Sequence, residues 1–257
     1  TTGTLSGDAT DNVGVGYGAL NAITSGDSNT VVGRDAGGAI TSGTFNTCIG
    51  DNSGAVIAST HQNTGTGTYS LYATTGTGNT AVGYASQMDN GTGSYNTSLG
   101  FSALEGVASN NHSFNTGIGS QALEAVTTGG YNTTLGYQAG DNLTTGAGNI
   151  FIGTGDFAAA DSARTFKVVS YDGSSTTNHI ISDSSGNMTL AGDLTIGDDF
   201  LMTSDSSVIT FGADSDTTLT HTDGTGLTLN STNKLCFNDA SQFIQGASAT
   251  VLDIAAT

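Results

Sequence analysis

The sequence predicts an all-β protein built as a stacked β-roll, or solenoid, of coils about seventeen residues long. Three observations support this prediction. A motif with Asn first and Gly four residues later occurs nine times between residues 12 and 157. The composition is rich in Thr, Ser and Asn, with 39 Gly and no Pro, which suits short strands and turns better than helices. A fixed period of this length is typical of stacked repeats.

The motif residues recur at steps of 16 to 19 residues, and most steps are 17. Stacking would place the asparagines above one another, where their amides can form a ladder. The motif asparagines are Asn12, Asn29, Asn46, Asn63, Asn79, Asn96, Asn115, Asn132 and Asn149. The motif glycines are Gly16, Gly33, Gly50, Gly67, Gly83, Gly100, Gly119, Gly136 and Gly153.

Each unit has a regular internal pattern, with positions counted from the motif Asn. Position +1 is mostly Thr, position +3 is aliphatic in every unit except at Thr66, and position +7 is mostly Ala or Ser. Since strand side chains alternate, positions +1 and +3 share one face. We therefore expect about two short strands and two turns per coil, with the interior supplied by +3, +7 and an occasional Leu at +8. The Gly at +4 should adopt a positive φ or a close backbone approach.

Three segments follow from this pattern. Residues 1–11 are a lead-in, residues 12–157 are the nine-coil array, and residues 158–257 are a β-rich shaft. The shaft segments alternate Thr and Leu around turn signals, which predicts short strands. We expect these strands to intertwine with those of partner chains and to continue beyond residue 257.

The predicted interior of each coil is thin, and this favours a homotrimer. One aliphatic, one small residue and an occasional Leu would give about 3–5 kcal/mol of gross burial energy per coil. Ordering a coil costs more, at about 1 kcal/mol or above for each residue. Association of chains would bury a second face. The rival is a monomeric left-handed hexapeptide helix, which would need an aliphatic at about every sixth residue.

The chain is strongly acidic, with 22 acids, 4 bases and a formal net charge of −18. This balance argues against nucleic acid as a partner and against charge-driven adhesion to anionic membranes. A self-repelling soluble surface explains the charge, and divalent cation binding is the alternative. The acidic groups that could offer oxygens to Ca²⁺ are Asp198-Asp199 and Asp214-Ser215-Asp216, although neither matches an EF-hand loop.

No catalytic, cofactor or metal site is predicted, and we expect the protein not to be an enzyme. The four histidines, His61, His112, His179 and His221, are scattered without metal or triad spacing. Glu105 and Glu124 hold related places in neighbouring coils, which indicates repeat register rather than paired catalytic carboxylates. Cys48 and Cys236 form no disulfide framework, and Cys48 is expected to be a small buried filler.

Aromatic residues recur at two motif positions and permit two interpretations. They could pack coil against coil, or they could form an exposed ladder that stacks against glycans. The residues at +5 are candidate receptor contacts: Tyr17, Tyr84, Phe101 and Tyr137. Those at −1, just before the motif Asn, are Phe45, Tyr95, Phe114 and Tyr131.

The repeats resemble those of known fibre proteins. The units NTAVGYASQ (79–87) and NTGIGSQAL (115–123) are similar to the head repeats of trimeric autotransporter adhesins. They are more similar to repeats of phage tail-fibre and virion structural proteins, whose arrays end in a unit like NIFIG (149–153). The segments GNMTLAGDLTIGDD (186–199) and GLTLNSTNKLCFNDASQFIQG (226–246) resemble phage fibre shafts.

This resemblance implies a function and its partners. It implies a homotrimeric phage tail fibre or virion appendage that attaches to the host surface through multivalent contacts. The partners would be other virion proteins and a glycan or protein receptor on the host. The alternatives are a trimeric adhesin on a bacterial cell surface and a glycan-cleaving tailspike. Threonine ladders would also suit an ice-binding solenoid, but Thr-x-Thr does not recur in every coil.

Overall fold

The structure is a computed structural model that describes residues 8–107, 111–197, 200–203, 207–211, 217–222, 226–229, 235–237 and 239–244. Across these residues the chain is all-β. The search of the same residues finds no helix long and apolar enough to cross a bilayer. The chain divides into two compact units, Thr1–Leu194 and Thr195–Thr257.

The nine motifs form nine coils of a β-solenoid, as predicted. Each coil, numbered from its motif Asn, contributes one three-residue strand, and each strand pairs in parallel with the next at equivalent positions. The strands are β1 (Val13–Val15), β2 (Thr30–Val32), β3 (Thr47–Ile49), β4 (Thr64–Thr66), β5 (Thr80–Val82), β6 (Thr97–Leu99), β7 (Thr116–Ile118), β8 (Thr133–Leu135) and β9 (Ile150–Ile152).

The expected second strand of each coil is absent from the described coils, where turns take its place. The reason is a run of left-handed backbone conformations after the strand. In coil 2, Gly33, Asp35 and Gly37 have φ values of 143°, 52° and 52°. Extended strands require negative φ at every residue, so alternating left-handed residues close the coil by turns.

The motif glycine meets both conditions expected of it. Its φ lies between 125° and 143° in all nine coils, a region that residues with a Cβ rarely adopt. A Cβ on Gly100 would also collide with the backbone carbonyl of Gly119 in the next coil, and the earlier motif glycines are stacked in the same way. The glycine therefore permits both the sharp turn and the close contact between coils.

The motif asparagines form the predicted ladder in the interior. In coil 3, the Asn46 side-chain amide donates to Asn29 Oδ1 at 3.0 Å, and the Asn46 backbone amide donates to the same oxygen at 3.0 Å. The Asn46 amide also donates to the Thr60 carbonyl at 2.9 Å, across its own coil. Each asparagine thus ties two coils together and closes one of them.

The interior differs from the prediction at its main position. The +3 aliphatics point outward, whereas +2, +7, +8 and +11 point inward; Val31 (+2), Ala36 (+7) and Ile40 (+11) are fully buried in coil 2. A three-residue strand has its middle side chain on the opposite side from the other two. One chain therefore closes its own interior, so the expectation that +3 supplies it was wrong.

In coils 1 to 8 a larger side chain at +2 or +8 is combined with a smaller one at the other position, whereas coil 9 has Phe at both. Coil 1 combines Gly14 with Leu20, and a Cβ on Gly14 would lie 3.4 Å from the Leu20 Cδ1. Coil 3 reverses the sizes, with Cys48 opposite Gly54. A Cβ on Gly54 would lie 2.5 Å from the Cys48 Sγ. Interior volume is thus kept roughly constant in coils 1 to 8, although neither position has a fixed residue type.

The sheet continues past the predicted array. β10 (Phe166–Tyr171) pairs in parallel with β9, and β11 (Thr176–Ser182) and β12 (Met188–Leu190) extend the sheet in antiparallel fashion. The boundary predicted at residues 157/158 therefore falls inside one twelve-stranded sheet.

The second unit contains two small antiparallel sheets. One is formed by β13 (Val208–Phe211), β14 (Thr217–Thr222) and β15 (Gly226–Leu229), and the other by β16 (Leu235–Phe237) and β17 (Asp239–Ile244). The strands predicted for the shaft are thus present in the described residues, and their intertwining with partner chains stays a prediction.

Candidate functional site

The candidate site is the outer face of the parallel strands. We call it the strand face and define it by the side chains at −1, +1, +3 and +5 of the nine coils. The strand alternation places +1 and +3 outward, and the flanking residues at −1 and +5 extend the same pattern. The strand face therefore runs along the full array as four adjacent columns.

The two central columns are a threonine column and an aliphatic column. The +1 threonines are in register from Thr30 to Thr133. The +3 side chains beside them leave much apolar surface open, and six of them are 36–53% exposed: Val15, Val32, Ile49, Leu99, Leu135 and Ile152. An apolar column on a surface, interrupted here by Thr66 of coil 4, is typical of an interaction site.

The −1 column carries aromatic rings in a strained backbone conformation. Tyr95, Phe114 and Tyr131 have φ values of 59°, 61° and 60°, which costs an L-residue about 1–2 kcal/mol. Their rings stack along the coils, with centroids 5.5 Å and 4.8 Å apart and interplanar angles of 12° and 9°. Stacking offsets part of the strain. Phe45 has the same conformation and is 62% exposed, with non-aromatic residues at −1 in coils 2 and 4.

The predicted receptor contacts, Tyr17, Tyr84, Phe101 and Tyr137, form part of the +5 column, and all four are exposed. Tyr84 and Phe101 stack at 5.4 Å with an interplanar angle of 9°. Arg34, Asp51 and Thr68 separate Tyr17 from this pair, and Ser120 separates Tyr137 from it. The +5 column therefore combines packing between neighbouring coils with isolated exposed rings.

The strand face carries little charge, although the chain is acidic. Its charged residues are Asp11, Arg34 and Asp51. Arg34 Nη2 donates to Asp51 Oδ2 at 2.7 Å, and this hydrogen bond raises the pKa of the guanidinium. The other carboxylates of the nine coils lie at positions outside this face, so electrostatic repulsion between copies of the array would be weakest here.

The dimensions of the strand face match those of a protein interface. Nine coils at about 4.8 Å span about 43 Å, and the six residue-to-residue steps from −1 to +5 span about 20 Å. The resulting area of about 850 Å² is close to the roughly 800 Å² that each partner contributes to a standard interface.

Apart from the strand face, a group of charged side chains lies close together in coils 7 to 9. Burial raises the pKa of Asp141 to about 7, and the carboxylates of Asp156 and Glu124 add to the rise. Lys167 Nζ donates to the Asp156 backbone carbonyl at 2.5 Å, and burial lowers the pKa of Lys167. Among the described residues, no group of three His, Cys, Asp or Glu side chains could hold a metal ion.

The other residues considered from the sequence are dispersed. His61 Nδ1 lies 3.1 Å from the Thr44 backbone amide, and His179 Nε2 lies 2.8 Å from Ser170 Oγ. Cys48 is buried as expected, and burial raises the pKa of its thiol to about 12. Glu105 and Glu124 lie in adjacent coils. The groups Asp198-Asp199 and Asp214-Ser215-Asp216 lie outside the described residues.

Comparison with known proteins gave no match: no protein-family model fits the chain, and no curated protein or solved structure is significantly similar to it. The class of the first unit is defined by its own geometry, a β-solenoid of nine coils with an internal asparagine ladder.

Proposed function

We propose that this chain is a structural fibre protein of a phage virion, a tail fibre or related appendage, that assembles as a homotrimer through the strand face. In this proposal the trimer is a stiff rod held by other virion proteins, and it attaches to a host glycan or protein by repeated contacts. Several weak contacts on one rod raise the effective concentration at each site and so increase avidity. Catalysis has no part in this function.

The observation that carries the proposal is the exposed +3 column. Leu99 and Leu135 are each 48% exposed, although the coil interior is complete without them. A second copy of the chain offers an apolar column with the same axial repeat, so equivalent coils can meet at every level. Few other partners would present contacts at nine successive levels spaced about 4.8 Å apart.

The two edges of the strand face favour rotational assembly of three chains. An isologous dimer brings the same patch of both subunits together, whereas a closed ring joins two different patches. The −1 column has aromatic residues in coils 3, 6, 7 and 8, and the +5 column has them in coils 1, 5, 6 and 8. These unlike edges, on either side of an apolar centre, suit a ring in which each chain contacts two neighbours.

The assembly is tested by placing charges on the strand face. We expect the double variant L99D/L135D to dissociate to single chains in sedimentation equilibrium, because carboxylates would be buried against an apolar neighbour. The fold of each chain should persist, since both side chains are exposed. The matched control S42D adds a carboxylate at an exposed turn position and should leave the mass unchanged. Equal masses for both variants and the unmodified chain would count against the proposed interface.

The attachment role is tested with the same variants on an array of bacterial surface glycans. The assembled protein and S42D should bind a common set of glycans. The dissociated variant should bind the same set at least about 100-fold more weakly, because avidity is lost. Undiminished binding by single chains would contradict the multivalent mechanism.

A further inference from the structure

The apolar interior of the solenoid is divided in two. One buried cluster extends from Ala19 to Ala81, in coils 1 to 5, and the other from Leu104 to Val169, in coils 6 to 9 and β10. Between them lies a band of buried polar side chains, which we call the polar seam. It consists of Ser86, Gln87 and Asn90 of coil 5 with Ser98 and His112 of coil 6.

Most of the polar seam is hydrogen-bonded. Gln87 Nε2 donates to the Thr80 carbonyl at 2.8 Å and to Ser98 Oγ at 2.9 Å, and Ser98 Oγ lies 2.5 Å from Ser86 Oγ. Asn90 Nδ2 donates to Gln87 Oε1 at 3.2 Å. The two bonds to Ser98 join coils 5 and 6, and the other two lie within coil 5. In most other coils a leucine or isoleucine occupies +8 or +11.

Three buried atoms of the polar seam have no hydrogen-bond partner among the described residues: Asn90 Oδ1 and both ring nitrogens of His112. Each such atom destabilises the folded coils, because it would form a hydrogen bond with water if the coils separated. His112 is fully buried, and burial lowers its pKa to about 4. The polar seam thus holds an uncharged histidine that would accept a proton readily once exposed to water.

The repeat is also irregular around the polar seam. The steps from Asn63 to Asn79 and from Asn96 to Asn115 are 16 and 19 residues. At the first step, Asn79 donates its backbone amide to Asn63 Oδ1, while its side-chain amide donates to the Gly93 carbonyl. Coil 6 is the longer coil, and in it His112 lies directly against Gly93 of coil 5, at the position that Gly93 holds in its own coil. The His112 backbone carbonyl accepts a hydrogen bond from the Asn96 side-chain amide at 2.9 Å.

We propose that the polar seam is a pH-controlled opening point of the solenoid, at which coils 5 and 6 separate when His112 gains a proton while the two apolar clusters stay packed. Solenoid stability is approximately a sum over neighbouring coils, so the least favourable junction opens first. Nothing in this inference depends on the oligomeric state or on the proposed function.

The direction of the pH effect follows from the lowered pKa of His112. Above the ordinary pKa of 6.5, the residue is neutral in both forms. Between 6.5 and about 4, only the open form binds the proton, so stability is lost as the pH falls. The opening equilibrium should rise about 30-fold between pH 8 and pH 5. Asp89, Glu105 and Glu124 are the acids of coils 5 to 7, and none contributes to the shift, which burial alone causes.

Hydrogen exchange measured by mass spectrometry on the full chain, at pH 7.5 and pH 5.0 and corrected for intrinsic rates, tests the proposal. We expect the opening equilibrium of amides in residues 85–105 to rise at least about 10-fold at the lower pH. Residues 29–50 should not respond, and residues 130–150, which contain Asp141, should not open more at the lower pH. A uniform response along the array, or none, would overturn the proposal.

Variants at His112 assign the effect to one group. H112F removes the titrating group at similar size, and H112G restores the residue found at this stacking position in neighbouring coils. If H112F does not fold, H112G alone decides the test. Either variant should lose the pH response, whereas the control H179Q, at an exposed histidine, should keep it. A response that persists without His112 would also overturn the proposal.

Discussion

Asn132 donates both its backbone amide and its side-chain amide to Asn115 Oδ1, each at 3.0 Å. The same side chain donates to the Gly146 carbonyl at 3.0 Å. One buried residue thus links its coil to the preceding one and spans its own interior. This relationship recurs along the array and connects the most regular feature of the sequence to the cohesion of the fold.

We predict that N132A lowers the free energy of unfolding by about 2–4 kcal/mol, because it leaves a cavity and a buried Gly146 carbonyl without its donor. Urea denaturation followed by circular dichroism measures the change. N12A, at the partly exposed end of the ladder, should cost less. Equal losses at both sites would show that burial does not set the strength of the ladder.

We predict that G100A is more destabilising than G155A, although both glycines have left-handed φ values, of 142° and 117°. A Cβ on Gly100 would strike the Gly119 backbone, whereas nothing lies within 4 Å of a Cβ on Gly155. The strain is common to both, at about 1 kcal/mol or more, so the difference between their melting curves isolates the close approach of the coils. Similar losses would indicate that φ alone explains the motif glycine.

We predict that exchanging large and small residues within coil 2 is tolerated only as a pair. G37L alone should destabilise strongly, because a Cβ at Gly37 would lie 2.8 Å from Ile40 Cδ1 and 3.1 Å from Val31 Cγ2. V31G/G37L reproduces the arrangement of coil 1 and should recover about 1–3 kcal/mol relative to G37L. A double-mutant cycle in urea measures this coupling, and additive effects would contradict the complementarity of the two positions.

We predict that D141N removes a pH dependence from stability. The pKa of Asp141 is raised to about 7 in the folded chain. Its contribution to the free energy of unfolding is therefore complete below its ordinary pKa and is lost as the pH rises through 7. Thermal melts between pH 5 and pH 8.5 should show the unmodified chain weakening at high pH and D141N weakening less. The control D161N alters an exposed aspartate and should follow the unmodified chain.

The sequence was sufficient to predict the coils, because Asn and Gly have backbone and amide roles that no other residue fills. It did not indicate the interior correctly. Position +2 varies among Val31, Cys48, Ala81 and Phe151. In coils 1 to 8 its size is balanced by +8 in the same coil, and such compensation removes any fixed hydrophobic signal. The uniform aliphatics at +3 suggested an interior, whereas they lie on the strand face.

The candidate site was predicted in part. The aromatic residues at +5 are exposed, as an external ladder requires, but only Tyr84 and Phe101 stack among the four predicted contacts. The left-handed conformation at −1 could not be predicted, because Tyr and Phe disfavour it. The available signal for the polar seam was the 19-residue step that contains His112. Burial of that histidine depends on how the insertion folds, which spacing alone does not specify.

The mass of the unmodified protein in solution, measured by light scattering at micromolar concentration, tests the central claim most directly. Assembly through the strand face predicts a stable species of three times the 25.5 kDa chain mass, persisting at high salt because apolar contacts hold it together. A stable species with the mass of one chain would contradict the claim.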